Sequence, residues 1–297
     1  MKAMLYLYSI MLARFLCIVL FLMLAICGKA QDEPKPDTLV IGGVTIIRDN
    51  APIESGRRRF LKKLSSSISP RNVKTQWAII DLGVSNYADN TDYTGVEAQD
   101  YAPGANETWL DLKPFISRNI NIWFVTQQFN LINHYVNFQY GLGLELNNYH
   151  YKQPVRYQAI TEAVHNSPVM YLDQTNNRSY RKNKLAADYI TVPIMLNLNL
   201  TPTRLYPFEI SAGVSVGYLY SARNKFINSD EGKSKVRGDF DLRPWKLAYM
   251  GELNLGVLRL YGSYAFKSMY KRGLDITPYT FGVRIKPTEL FGKLETP

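Results

Sequence analysis

The chain has 297 residues, a formal charge of +10 and 21 tyrosines. Its two cysteines, Cys17 and Cys27, both fall in the first thirty residues. A chain trimmed there has no disulfide framework, no thiol nucleophile and no cysteine metal site, and the absence of a basic-aromatic motif argues against nucleic acid as a partner.

The chain opens as exported proteins do. Arg14 precedes an unbroken apolar run from Phe15 to Cys27, and Gly28-Lys29-Ala30 puts small residues where a signal peptidase reads them. Residues 1–30 are therefore expected to be a signal peptide cleaved after Ala30. Met11 is an alternative start, and Cys27 an alternative acylated residue. The run is shorter than the about 20 residues that a spanning helix needs. Cleavage removes Lys2, Arg14 and Lys29. The remaining mild positive bias suits anionic lipid heads or lipopolysaccharide. Abundant tyrosine suits aromatic belts at membrane interfaces.

Residues 31–75 are expected to form a short periplasmic segment outside the main fold. Leu39-Val40-Ile41, Gly42-Gly43 and Val44-Thr45-Ile46-Ile47 read as a small hairpin with a two-residue turn. Arg57-Arg58-Arg59-Phe60-Leu61-Lys62-Lys63 is a basic cluster, either a solvated linker or a contact with an anionic surface.

Residues 76–286 carry eight candidate strands, each alternating apolar and polar positions. The first, Trp77 to Tyr87, opposes Ile80, Leu82 and Val84 to Asp81, Gly83 and Ser85. The second runs from about Ser117 to Asn130, with blurred alternation that predicts a bulge near Gln127 and Gln128. In the third, Val136, Phe138, Tyr140, Leu142, Leu144 and Leu146 alternate with Asn137, Gln139, Gly141, Gly143, Glu145 and Asn147. The fourth, Ala186 to Pro202, has Ile190, Val192, Ile194, Leu196, Leu198 and Leu200 on one face. The fifth alternates Phe208, Ile210, Ala212, Val214, Val216 and Tyr218 with Glu209, Ser211, Gly213, Ser215 and Gly217. Trp245 to Leu255 turns at Gly256 into the seventh, where Leu258, Leu260, Tyr264 and Phe266 oppose Arg259, Tyr261, Ser263 and Lys267. The eighth opposes Thr277, Tyr279, Phe281, Val283 and Ile285 to Pro278, Thr280, Gly282 and Arg284. Polar stretches at 88–112, 149–187 and 222–244 are long loops, and 287–297 is a polar tail.

Alternation alone fits a soluble barrel equally well. Two features favour a membrane barrel. The polar rows are mostly Gly, Ser, Asn and Thr, which suit the crowded lumen of eight strands better than a water-facing surface. The connections alternate long and short, as between the outside and the periplasm. About 11 residues at 3.3 Å, tilted about 45°, rise roughly 25 Å, the height of the apolar band. The expected fold is thus all-β: an eight-stranded antiparallel transmembrane β-barrel of the outer-membrane type, with both termini in the periplasm. Pro193 donates nothing to a ladder and is expected near a strand end or a bulge.

Tyr189-Ile190-Thr191-Val192-Pro193 followed by alternating leucines resembles the outer-membrane β-barrel family of Bacteroidetes, the PorT-like group. Tyr140-Gly141-Leu142-Gly143-Leu144-Glu145 with Asn147-Asn148-Tyr149 is similar to that family's third strand. The resemblance spans roughly residues 75–286. It implies an outer-membrane location and, in some members, a part in type IX protein export and surface attachment. It carries over no catalytic residues. The chain departs from many outer-membrane proteins in not ending on a strand aromatic, since Phe291 lies in the tail.

The lumen row holds Asp81, Glu145, Glu209, Glu252, Arg259, Lys267 and Arg284. Opposed acids and bases in a narrow barrel pair off, because unpaired buried charge is costly. These residues are read as a polar plug, with binding or gating as the alternative. No catalytic, cofactor or metal site is predicted. His134, His150 and His165 have no serine signature beside them, and Asn106-Glu107-Thr108 and Asn177-Arg178-Ser179 are read as idle sequons. The expected function is a non-enzymatic envelope component, linked through the resemblance to export and to other envelope or secretion proteins. The alternatives are a stand-alone surface barrel whose loops bind an external ligand, and a small-solute channel.

Overall fold

The computed structural model describes residues 39–41, 44–46, 71–158, 168–175, 179–204, 207–256 and 258–286. The leader, the basic cluster 57–63, His165, Asn177 and the tail 287–297 lie outside them. The chain divides into two units, residues 1–65 and 66–297. In the first, β1 (Leu39–Ile41) pairs antiparallel with β2 (Val44–Ile46) across Gly42-Gly43.

The second unit is a closed ring of strands. Its members are β3 (Val73–Asp89), β4 (Arg118–Ile132), β5 (Val136–His150), β8 (Tyr180–Asn199), β9 (Phe208–Asn228), β11 (Trp245–Leu255), β12 (Leu258–Ala265) and β13 (Ile276–Ile285). Each pairs antiparallel with the next, and β13 returns to β3, from Ile276↔Asp89 to Ile285↔Ile80. Closure leaves no edge, as a sheet in lipid requires. Among the described residues of this unit, three short strands lie outside the ring: β6 (Val155–Tyr157) with β7 (Met170–Leu172), and β10 (Gly232–Arg237) on the far end of β9. A single short helix, α1 (Val96–Tyr101), lies in the β3–β4 connection among the described residues.

The barrel is inside out relative to a soluble protein. Leu82, Ile190, Ile194, Leu196, Ile210, Val214, Leu247, Leu260, Phe281 and Val283 are exposed, while Asp81, Asn119, Asn121, Glu145, Thr191, Ser215 and Arg284 are buried. Only a surrounding of lipid makes that arrangement favourable. Aromatic residues gather at both ends of the exposed band. Phe129 stacks on Tyr140 near the short turns, while Tyr218 meets Trp245 edge-on at 4.9 Å and Tyr249 meets Phe266 at 4.3 Å toward the long loops.

Several expectations are corrected. The strands β8 and β9 are much longer than their apolar rows. They run on through residues 180–187 and 222–228, which the polar composition marks as loop. Polar side chains do not end a strand whose backbone still finds partners. The irregularities in β4 fall between Trp123 and Val125 and between Asn130 and Ile132, not at Gln127 and Gln128. The first inverts the parity of the strand: Asn119, Asn121 and Trp123 are buried before it, and Thr126 after it. Pro193 sits neither at a strand end nor at a bulge. It pairs with Ser215 of β9 in mid-strand, while the ladder to β5 skips from Tyr140↔Ile194 to Gly143↔Thr191. The missing N–H falls in that gap, opposite Gly141.

Candidate functional site

The barrel interior is filled by charge and hydrogen bonds. The Arg284 guanidinium holds Asp81 through two contacts, Nε to Oδ1 at 2.7 Å and Nη2 to Oδ2 at 2.9 Å, and also pairs with Glu252. Asp81 accepts further hydrogen bonds from Trp123 Nε1 at 2.6 Å and Asn121 Nδ2 at 3.2 Å. The indole of Trp123 lies beneath the guanidinium, 5.8 Å from ring centroid to Cζ. A second centre sits nearer the long loops. There Lys246 pairs with Glu145, which also accepts from Asn147 at 2.9 Å. Asn119 joins the two, donating to Asn121 and Asn147 at 2.9 Å each and accepting from Tyr261 Oη at 2.6 Å. Ile79, Trp123, Met195 and Met250 add an apolar layer across the same interior.

The sequence-predicted charges do not all meet there. Asp81, Glu145, Glu252 and Arg284 lie within the network. Glu209 accepts from Asn254 at 3.0 Å and Asn199 at 3.2 Å, and with Arg259 it lines a crevice at the short-turn mouth. Lys267 is outside the lumen and exposed. The strand stops at Ala265, and the chain leaves the sheet to let Arg243 N–H donate to Met269 O at 2.7 Å. Lys267 instead lines a cavity of about 460 Å³ in the wall, with Trp245, Leu247, Phe266 and Lys271, backed by Tyr189 and Lys246. Sequence reasoning missed Lys246, although the alternation that turns Glu252 inward turns Lys246 inward too. Asn119, Asn121 and Trp123 were legible in the same way, ahead of the parity change.

The long connections are not loose. Four of them share a hydrophobic core above the barrel. Tyr101, Ala105, Trp109 and Leu110 come from the β3–β4 connection, and Tyr151, Val155, Tyr157 and Met170 from β5–β8. Phe240 and Leu242 come from β9–β11, and Met269, Tyr270 and Leu274 from β12–β13. Isolated bridges, Leu112↔Tyr151 and Leu242↔Tyr270, tie the segments together. A chain of hydroxyls runs through the centre: Tyr157 Oη lies 2.7 Å from both Tyr151 Oη and Tyr270 Oη. Tyr101 Oη donates to Phe240 O at 2.8 Å. Burial raises the pKa of Tyr101, Tyr151, Tyr157 and Tyr270, chiefly because a phenolate there would be desolvated. Gly273 has φ +78° and lies against Tyr101, so the turn needs both its backbone freedom and its missing side chain. A crevice of about 450 Å³ opens on the cap between residues 91–98 and 268–275, with Asp92, Glu97, Arg272 and Asp275 on its walls.

Among the described residues no three His, Cys, Asp or Glu side chains come together as metal ligands. His134 is half-buried in the β4–β5 turn, and His150 lies at the long-loop end of β5 beside Lys184.

Comparison with known proteins places this geometry. Residues 93–271 match the family model described as outer membrane protein beta-barrel domain. No curated protein matches. A similar solved structure is that of Ail, the attachment invasion locus protein of Yersinia pestis, in complex with the heparin analogue sucrose octasulfate. It is 12% identical, covers 71% of this chain and 98% of its own, and has a TM-score of 0.29. With more than half of the chain matched by the family model, the protein belongs to the outer membrane protein β-barrel domain family.

Proposed function

We propose that the protein is a non-enzymatic surface scaffold: a sealed barrel that holds a cored loop cap outside the cell as a binding surface. The observation that carries this is the pairing of a closed lumen with an ordered cap. Buried Arg284–Asp81 and Lys246–Glu145 pairs occupy the interior, while the connections build a hydrophobic core of their own. A solute channel needs an open interior, and a loop that only links strands needs no core. An even number of strands puts both ends of the barrel on the short-turn side. In this reading that side is periplasmic, continuous with the segment 31–75 after a cleaved leader, and the barrel is bathed by outer-membrane lipid and lipopolysaccharide.

The test uses the absence of cysteine after Cys27. Glu107→Cys in the cap and Thr203→Cys in a short turn, both at exposed positions, are treated with a membrane-impermeant maleimide. Intact cells are expected to label the first alone, and lysed cells both. The purified protein in a planar bilayer is expected to conduct no more than lipid. Labelling of Thr203→Cys in intact cells, or steady conductance, would overturn the reading. A stoichiometric periplasmic partner retained through purification would favour the export-accessory role implied by the PorT-like resemblance.

A further inference from the structure

The outer face of the wall carries a ladder of cations directly above the aromatic belt. At Trp245↔Tyr218 the pairing of β11 with β9 ends, and β10 takes its place from Arg237↔Arg223 to Gly232↔Asn228. Four strands, β5, β8, β9 and β10, thus continue past the apolar band. One face of this extension is buried beneath the cap through Leu185, Ala222, Asn224 and Phe226. The other face presents a register of basic side chains. His150 pairs with Lys184, Lys184 with Lys225, and Lys225 with Lys235. In the next row Ala186, Arg223 and Arg237 lie side by side, and beyond the lysines Lys182 and Lys233 flank Ile227.

Like charges directly opposite each other across strands destabilise a sheet. Here three lysines stand in consecutive register, with no acid at any of those paired positions. Asp188 lies on the Arg223 side of the ladder and is held by that guanidinium. Lys184 donates to Asn148 Oδ1, which brings no charge. The position matters as much as the sign. Tyr218 and Tyr220, both exposed, precede Arg223 on β9 by five and three residues. The cations therefore stand at headgroup level, where anionic lipid and basic side chains attract.

We infer that the Lys184–Lys225–Lys235 ladder, with Arg223 and Arg237, is a binding site for the phosphate groups of a phosphorylated glycolipid in the outer leaflet. Charge complementarity carries the inference: a flat, multiply cationic face adjoining a lipid-facing belt fits an amphiphile with several phosphates on a rigid headgroup. The inference rests on the outward placement of the cap proposed above.

The test uses the full mature chain in detergent micelles doped with bis-phosphorylated lipid A, with adducts counted by native mass spectrometry. In micelles the readout is blind to topology, so failure of the maleimide experiment and failure of this one are separable. The triple variant Lys184→Gln, Lys225→Gln, Lys235→Gln is expected to lose lipid A binding about tenfold or more. The Lys267→Gln, Lys271→Gln control is expected to keep it, and phosphate-free lipid A to bind the parent equally weakly. The heat-induced gel shift of each variant reports that the barrel is folded. Undiminished binding by the folded triple variant would overturn the inference. So would equal binding of phosphate-free lipid A, or a preference for a soluble heparin fragment over lipid A.

Discussion

Arg284 is a buried cation that serves two carboxylates in the barrel interior. It neutralises Asp81 and Glu252 at once, where Asp81 is fully buried and Glu252 keeps only a small exposed edge at the short-turn crevice. Such a pair adds little net stability over an apolar replacement, but removing one member strands the other. Arg284→Met is expected to destabilise the barrel by about 3–5 kcal/mol, read as a fall in the urea midpoint of the heat-modifiable gel band. Arg284→Met combined with Asp81→Asn is expected to recover part of that loss. A midpoint unchanged in the single variant would mean that water reaches Asp81 freely. The tyrosines of the cap make a separate case. Their folded pKa values lie above the unfolded value of about 10, so the folded cap keeps protons that the unfolded cap releases. The stabilisation is full below about pH 10 and declines as pH rises beyond it. Titration by phenolate absorbance is expected to show a late-ionising group of tyrosines whose ionisation coincides with exposure of the cap to protease. Ionisation of all tyrosines near pH 10 with the cap still resistant would contradict this.

At the scale of elements, the glycines of the lumen row are places where large side chains need room. A Cβ on Gly143 would lie 2.6 Å from Trp123 Cε3 and against the backbone of β4, whereas one on Gly251, in the outward row of β11, meets nothing nearer than Ser211 O at 3.9 Å. Gly143→Val is expected to prevent or greatly slow insertion into liposomes, and Gly251→Ala to leave it nearly unchanged. Equal folding of the two would show that β4 and β5 do not approach as closely as Gly143↔Trp123 requires. The elements also mark what a sequence can disclose. A period of two survives wherever one face meets lipid and the other a packed lumen, so every ring strand was visible. The ends of strands were not. They depend on distant partners: β8 and β9 continue through charged residues because β10 and β5 pair with them, and β12 stops before Lys267 because Arg243 captures Met269. The inversion at Phe124 was hidden because an alternating pattern resumes after the slip, so the blurred stretch appears a few residues late.

For the whole molecule, two solvents shape one chain. Lipid selects the exposed apolar rows of the barrel, and water selects the cap, which has an ordinary hydrophobic interior. The barrel's interior was partly legible: Asp81, Glu145, Glu252 and Arg284 follow from parity, as Lys246 does on a stricter count. The cap was not legible. Tyr101, Val155, Phe240 and Tyr270 come from four separated segments without periodicity, and their shared core exists only once the ring brings the segments together. The central claim is that the apolar rows face lipid and the polar rows face inward, and the four tryptophans test it. Trp245 and Trp77 are 52% and 57% exposed on the outer wall, while Trp123 is 2% exposed in the lumen and Trp109 is 7% exposed in the cap. The measurement is fluorescence of single-tryptophan variants in bilayers with brominated acyl chains. Strong quenching of Trp245 and Trp77, with Trp123 and Trp109 untouched, is the predicted result. Quenching of Trp123 as strong as that of Trp245 would mean that the wall is turned the other way.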